Sequence, residues 1–363
     1  DSRPNRTVNP HSRVLSSILV KPASAECNLH CTYCFYHHRP TDPYGHENGR
    51  HIMDDATLGA MIRQGMQIMA PASSFSWQGG EPLLTGIDFF RRVVAYQQQF
   101  GQSGHLVTNV VQSNGTLIND DWASLFAQYH FLLGISLDGP QQLHDHYRVT
   151  VRGEGTYDLV QKGIEYLRSH HVEFNILAVV NRVTAEHPRD IWHYMHEQGF
   201  GFLQFIPCVE RDSLTGKLSK FSVLPHQFGD FMCEIFDLWY HGDQPQTSVR
   251  LFDNLLLAFA GHGLQFCQFQ RECGDYIVVE YNGDVYPCCY TRFSTRYIIG
   301  NILDKSFKEF WNHPSRLNYY RKLLQDRCPA CGYGQINKAL KDIYLKGKVP
   351  SSALERCADD DFI

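Results

Sequence analysis

No apolar run in the 363-residue sequence approaches the ~18 residues that a membrane-spanning helix needs. The first ten residues are polar and lack the apolar core of a secretory signal. There is no basic surplus either. Lysine and arginine number 33 against 38 acidic residues, for a net charge of −5, which argues against a nucleic-acid-binding surface. The 19 histidines are scattered and form no H-E-x-x-H or comparable metal-ligand set. These absences lead us to expect a cytoplasmic protein with no membrane and no nucleic-acid partner. A hydrophobic fraction of 43% is ordinary for a globular chain.

Cysteine is what the chain has in excess. Of its 12 cysteines, three lie at 27–34, two (Cys208 and Cys233) are isolated, and seven fall between 267 and 357. In a reducing compartment such clustering favours metal binding over disulfides. Cys208 and Cys233 have no neighbours at ligand spacing and are expected to be small buried hydrophobes. Cys27, Cys31 and Cys34 have C-x-x-x-C-x-x-C spacing directly after an apolar run. Three thiolates are one ligand too few for a closed four-ligand site, so an iron-sulfur cluster held here keeps one iron open to another ligand. The competing reading is a set of free thiols or a zinc knuckle.

Strands are predicted at 14–20, 74–77, 105–112, 131–137, 172–180 and 202–207, with helical patterns at 53–69, 89–99, 120–128, 157–169 and 188–198. The methionines of 53–69 fall on the helix's apolar face and read as core. Strands alternating with helices mean a parallel sheet. A full eight-fold barrel needs about 250 residues, and this alternation is shorter. The fold class is therefore α/β, a partial barrel of six strand-helix units. We divide the chain into a tail (1–13), the partial barrel (14–225), a linking helical segment (226–262) and a smaller cysteine-rich unit (263–363). In the last, 276–281 and 285–288 flank Asn282-Gly283-Asp284, a strong hairpin signal.

Parallel barrels build their sites at the carboxyl ends of the strands. The exits here read Gln78-Gly79-Gly80-Glu81-Pro82, Gln112-Ser113-Asn114-Gly115-Thr116 and Ser136-Leu137-Asp138-Gly139-Pro140, the last followed by Arg148. A glycine pair lets the backbone approach a ligand closely, or simply makes a turn. The arginine fork can bind a carboxylate through two hydrogen bonds, or can sit in solvent.

The cysteine loop, with Tyr33 before its third cysteine, resembles the signature of radical S-adenosylmethionine (SAM) enzymes, which are built on partial barrels. The resemblance implies a [4Fe-4S] cluster on Cys27, Cys31 and Cys34. Its open iron chelates SAM, which one electron cleaves to methionine and a 5'-deoxyadenosyl radical. Tyr33, Gly79, Gly80, Glu81, Ser136 and Arg148 are the implied cofactor-binding residues, with the G-G-E segment at the SAM amino group and Ser136 and Arg148 at its carboxylate. The C-terminal region resembles a SPASM domain, implying one or two auxiliary iron-sulfur clusters on Cys267, Cys273 and Cys288 and on Cys328, Cys331 and Cys357.

Over nearly the whole chain the sequence is similar to anaerobic sulfatase-maturating enzymes, which oxidise a serine or cysteine of a sulfatase to formylglycine. The implied partners are a protein or peptide substrate and a flavodoxin- or ferredoxin-type electron donor. Alternatives are a ribosomal-peptide synthase forming a thioether, epimer or carbon-carbon crosslink, and a non-catalytic iron-sulfur scaffold. Two departures stand out. Asn337 and Lys341 occupy expected ligand positions, and Cys289 replaces the aspartate thought to be the catalytic base. On an extended strand Cys288 and Cys289 point to opposite faces. Cys289 is then a catalytic candidate facing the substrate, the alternatives being a ligand recruited by a bulged strand or an inert thiol.

Overall fold

A computed structural model describes residues 15–37, 44, 50–212, 215–240, 246–262, 266, 276–291 and 293–311. The six expected strands form as β1 (Ser17–Lys21), β2 (Ala72–Trp77), β3 (Leu106–Ser113), β4 (Leu132–Ser136), β5 (Phe174–Val180) and β6 (Phe202–Pro207). Each pairs in parallel with the next in sequence order. The crossovers are α1 (Asp55–Ile68), α2 (Ile87–Phe100), α3 (Asp120–Gln128), the short α4 (Gln141–Asp145) with α5 (Tyr157–Ser169), and α6 (Pro188–Glu197).

Local chemistry explains these boundaries. Asp54 caps α1 by accepting from the Thr57 backbone at 2.8 Å, and Asn119 caps α3 in the same way from Trp122 at 3.1 Å. Leu58, Met61, Ile62 and Met66 of α1 are buried, so its methionine stripe is core. Gly65 lets α1 settle on the sheet, since a Cβ there would lie 2.8 Å from the Ile18 side chain. Trp77, Phe89, Phe90, Phe126 and Phe131 form a buried aromatic cluster between sheet and helices. Each such side chain contributes roughly 1.5–3 kcal/mol by burial.

Beyond β6 come α7 (Pro225–Tyr240), β7 (Ser248–Val249) and α8 (Arg250–Phe259). Cys208 is buried as expected, but Cys233 is exposed on α7, because Phe231, Met232 and Ile235 take the inward positions. The hairpin forms as β8 (Tyr276–Glu280) and β9 (Asp284–Tyr286), followed by β10 (Gly300–Asn301) and α9 (Phe307–Trp311). β8 pairs in parallel with β1, and β9 and β10 follow antiparallel. One ten-stranded sheet, in the order β10-β9-β8-β1-β2-β3-β4-β5-β6-β7, thus joins the hairpin to the barrel directly.

Candidate active site

The cysteine loop leaves β1 and is held from two sides. On one, Gly80 N–H donates to Ser24 O at 2.8 Å and Glu81 N–H to Glu26 O at 2.7 Å. On the other, His30 N–H donates to Val149 O at 2.8 Å and Thr32 N–H to Tyr147 O at 2.9 Å. A Cβ on Gly80 would lie 2.1 Å from Glu26 O, and one on Gly79 would lie 2.6 Å from Ser24 O. The glycine pair at the β2 exit is therefore required by the loop packed against it.

Cys27, Cys31 and Cys34 are half-buried on this loop. Burial pushes the Cys27 thiol up to about 12, with Glu81 and the other two thiols adding to the rise. Burial likewise raises Cys34 to about 11, and raises Cys31 against the pull of Arg148. Cys31 and Cys34 add to the rise at Cys27, and Cys31 to that at Cys34, so the three thiols lie in one neighbourhood. Leu29 N–H donates to Cys27 Sγ at 3.4 Å, and Asn114 Nδ2 lies 3.7 Å from the same sulfur. Three desolvated thiols grouped on one loop suit a bound metal group that takes their protons' place. The donor set fits a cluster held by three thiolates.

The exits of β4 and β5 meet this loop at Asp138. Its carboxylate, buried, accepts from the Tyr33 hydroxyl at 2.5 Å, Arg148 Nε at 2.9 Å, Arg148 Nη2 at 3.0 Å and Val179 N at 2.9 Å. The Arg148 guanidinium also lies 5.5 Å from the Tyr33 ring centroid. The Nε and Nη2 edge of the Arg148 fork is thus paired with Asp138. A carboxylate this deeply buried needs a matching charge, and Arg148 is the one that reaches it. Behind the pair, His144 Nδ1 accepts from Asp138 N at 3.3 Å, which leaves its proton on Nε2 to donate to Thr156 Oγ1 at 3.0 Å. Burial, and then Arg148, pull this histidine down to about 4.

Glu81 has a comparable anchoring place. It is fully buried, and burial raises it to about 7 against the backbone donors Asn114 and Leu83 and the Ser113 hydroxyl. Its oxygens tie the β2 and β3 exits together, at 2.7 Å to Asn114 N and 3.0 Å to Ser113 Oγ. Ser136 is half-buried at the end of β4, where its hydroxyl accepts from Gln112 Nε2 at 3.3 Å.

At the hairpin, strand geometry ends at Tyr286, and 289–291 form a tight turn fixed by Thr291. The Thr291 hydroxyl donates to Cys288 O at 2.6 Å and its N–H to the same oxygen at 3.0 Å. The expectation that Cys288 and Cys289 point to opposite faces is therefore corrected. Both sulfurs lie beside one hydroxyl, Tyr276 Oη, at 3.4 Å and 3.3 Å. The hydrogen bond from Cys288 lowers the Cys289 thiol to about 6 against burial, with help from Tyr276 and Lys21. Phe293, just past the turn, packs 5.8 Å from Phe35 and 6.2 Å from Tyr36 of the cysteine loop. Lys21 Nζ donates to Tyr36 Oη at 3.0 Å, completing the contact between the two cysteine regions. Cys267, Cys273, Cys328, Cys331 and Cys357 lie outside the described residues.

Sequence reasoning quoted Asp138 and Asn114 within the exit segments but gave them no part. The signal available for Asp138 was an acid ten residues before an arginine at a barrel exit. His144 and Tyr276 carried no local signal.

Profile comparison matches residues 22–195 to the radical SAM superfamily and residues 267–332 to the SPASM iron-sulfur cluster-binding domain. The serine-type anaerobic sulfatase-maturating enzyme of Bacteroides thetaiotaomicron is 32% identical, covering 94% of this chain and 84% of that protein. The cysteine-type enzyme of Clostridium novyi is 35% identical, covering 87% of this chain and 85% of that protein. Native anSMEcpe with bound AdoMet and Cp18Cys peptide superposes with a TM-score of 0.78 at 33% identity, covering 89% of this chain and 88% of that one. The chain belongs to the anaerobic sulfatase-maturating enzymes of the radical SAM superfamily.

Proposed function

We propose that the protein oxidises a serine or cysteine of a sulfatase to formylglycine, using a SAM-derived radical. The observation that carries this reading is the placement of three desolvated thiols on one loop locked to the carboxyl ends of β2 and β4. Cys27, Cys31 and Cys34 would hold a [4Fe-4S] cluster, which when bound would supply the electron that cleaves SAM to methionine and a 5'-deoxyadenosyl radical. The protein's own tasks are to hold the cofactor, aim the radical and keep out water.

Gly79 and Gly80 let the β2 exit close over the loop, and Ser136, oriented by Gln112, offers a hydroxyl toward the SAM carboxylate. Tyr33, Asp138 and Arg148 fix the loop, with the Arg148–Asp138 pair close to Cys31. From the substrate side chain the conversion removes one hydrogen atom at the β-carbon, one proton from the hydroxyl or thiol, and one electron. A cysteine substrate then exchanges sulfur for oxygen with water, releasing hydrogen sulfide. A flavodoxin- or ferredoxin-type protein is the redox partner, in the cytoplasm. Among the described residues no helix is long and apolar enough to cross a membrane.

The test is reconstituted protein with SAM, dithionite and two sulfatase-derived peptides that differ only in carrying serine or cysteine at the target position. We expect an aldehyde in at least one peptide by mass spectrometry and hydrazine trapping. If 5'-deoxyadenosine forms but neither peptide yields an aldehyde, the sulfatase reading fails. A thioether, epimer or crosslink on another peptide would then take its place.

A further inference from the structure

The turn after β9 brings together three groups that strand geometry would have kept apart. Cys288 and Cys289 are successive residues, yet their sulfurs lie 3.4 Å and 3.3 Å from the same oxygen of Tyr276. The cause is local. The extended backbone stops at Tyr286, the chain tightens at 289–291, and the Thr291 side chain and N–H both hold Cys288 O. The tight turn thus lets both sulfurs reach one hydroxyl. They also lie within the stretch 267–332 that matches an iron-sulfur cluster-binding domain.

We infer that Cys288 and Cys289 are both thiolate ligands of one auxiliary iron-sulfur cluster, and that Tyr276 is the hydrogen-bond donor to this sulfur pair. Two thiolates this close repel each other unless cations lie between them, and iron supplies those cations. Each thiol gives up its proton as its sulfur bonds to iron, and no electron is exchanged. A sulfur that faces the substrate as proton acceptor would have to turn away from Cys288, and the tight turn holds it beside that residue instead. Hydrogen bonds to cluster sulfurs stabilise the reduced, more negative state and so raise the reduction potential. That gives the Tyr276 hydroxyl a definite effect. The inference rests on the C-terminal region carrying a cluster and is independent of which peptide is modified.

The experiment starts from full-length protein with Cys27, Cys31 and Cys34 all changed to Ala, reconstituted with iron and sulfide. Iron and sulfide content, electron paramagnetic resonance and redox titration then report only auxiliary clusters. Adding Cys289→Ala should remove the iron of one cluster or convert its spectrum to that of a cluster short of one iron. Adding Cys233→Ala, at the exposed cysteine of α7, should change neither. Full iron with an unaltered spectrum in the Cys289→Ala variant overturns the inference.

Should circular dichroism show that Cys289→Ala has lost its fold, Tyr276→Phe decides. We expect full iron with a lowered midpoint potential for one cluster, and an unshifted potential overturns the inference. A background protein that takes up no iron also overturns it. That result would leave the aldehyde assay on the unmutated protein as a separate matter.

Discussion

The two cysteine-bearing regions are built on opposite principles. The loop of Cys27, Cys31 and Cys34 has little regular structure of its own and takes its shape from the strand exits around it. Gly80 and Glu81 hold one flank, Tyr147 and Val149 the other, and Asp138 reaches in to Tyr33. The turn of Cys288 and Cys289 is self-contained, closed by Thr291 three residues on and by Tyr276 across the hairpin. A site assembled from distant segments is sensitive to any of its supports, whereas a site made by one turn is sensitive mainly to its own residues. The two sites are nevertheless adjacent, through Lys21, Tyr36 and Phe293.

The largest effect that breaks this contrast is expected at Asp138. Asp138→Asn keeps the shape but strips the charge that pairs with buried Arg148. Removing one partner of a buried pair costs about 3–5 kcal/mol. Anaerobic urea unfolding should show that loss, along with reduced iron at the first cluster and unchanged auxiliary iron.

His144 gives a somewhat smaller, pH-dependent effect. Its ring is neutral in the fold, at about 4 against an unperturbed 6.5, so the unfolded chain binds the extra proton first as pH falls. The stability that depends on a neutral ring is complete above about 6.5 and is lost progressively as pH falls toward 4, amounting to roughly 3 kcal/mol. Stability measured between those limits should fall less steeply in His144→Gln than in the unmutated protein.

Gly80→Ala acts on the backbone rather than on a buried charge. The added methyl meets the Glu26 carbonyl and forces the β2 exit and the loop apart. Because the collision is with backbone, the cost is expected to be at least the roughly 1–3 kcal/mol of ordinary overpacking. Iron retention at the first cluster, after challenge with a chelator, should drop while the hairpin site keeps its iron. Equal loss at both sites would show that the regions are not supported separately.

Much of this was legible in the sequence. Strands such as β2, β3, β5 and β6 bury alternate residues, and helices that bury one stripe repeat at helical spacing, so β1 to β6 and the crossovers other than the short α4 came out close to their observed bounds. The cysteine loop was legible because its ligands are local in sequence. The hairpin was legible because Asn282-Gly283 specifies a turn. What was not legible depended on where a pattern stops or on what lies across space. Alternation predicted opposite faces for Cys288 and Cys289, but it applies only while the backbone stays extended, and the strand ends two residues earlier, at Tyr286. Arg148 was read as a partner for the SAM carboxylate or a solvated arginine, and no local pattern says that Asp138, ten residues before it, will be buried against it. Glu81 was placed at the cofactor by its motif, and that its carboxylate also braces Ser113 and Asn114 at the β3 exit was not legible.

The central claim is that the cysteine loop and the strand exits around it aim a SAM-derived radical at the β-carbon of a serine or cysteine in a bound peptide. Peptide deuterated at that β-carbon, incubated with reconstituted protein, unlabelled SAM and dithionite, tests it most directly. The account predicts 5'-deoxyadenosine carrying deuterium from the peptide, formed together with the aldehyde. Unlabelled 5'-deoxyadenosine accompanying the aldehyde, or no 5'-deoxyadenosine from protein shown to hold its first cluster, would contradict it.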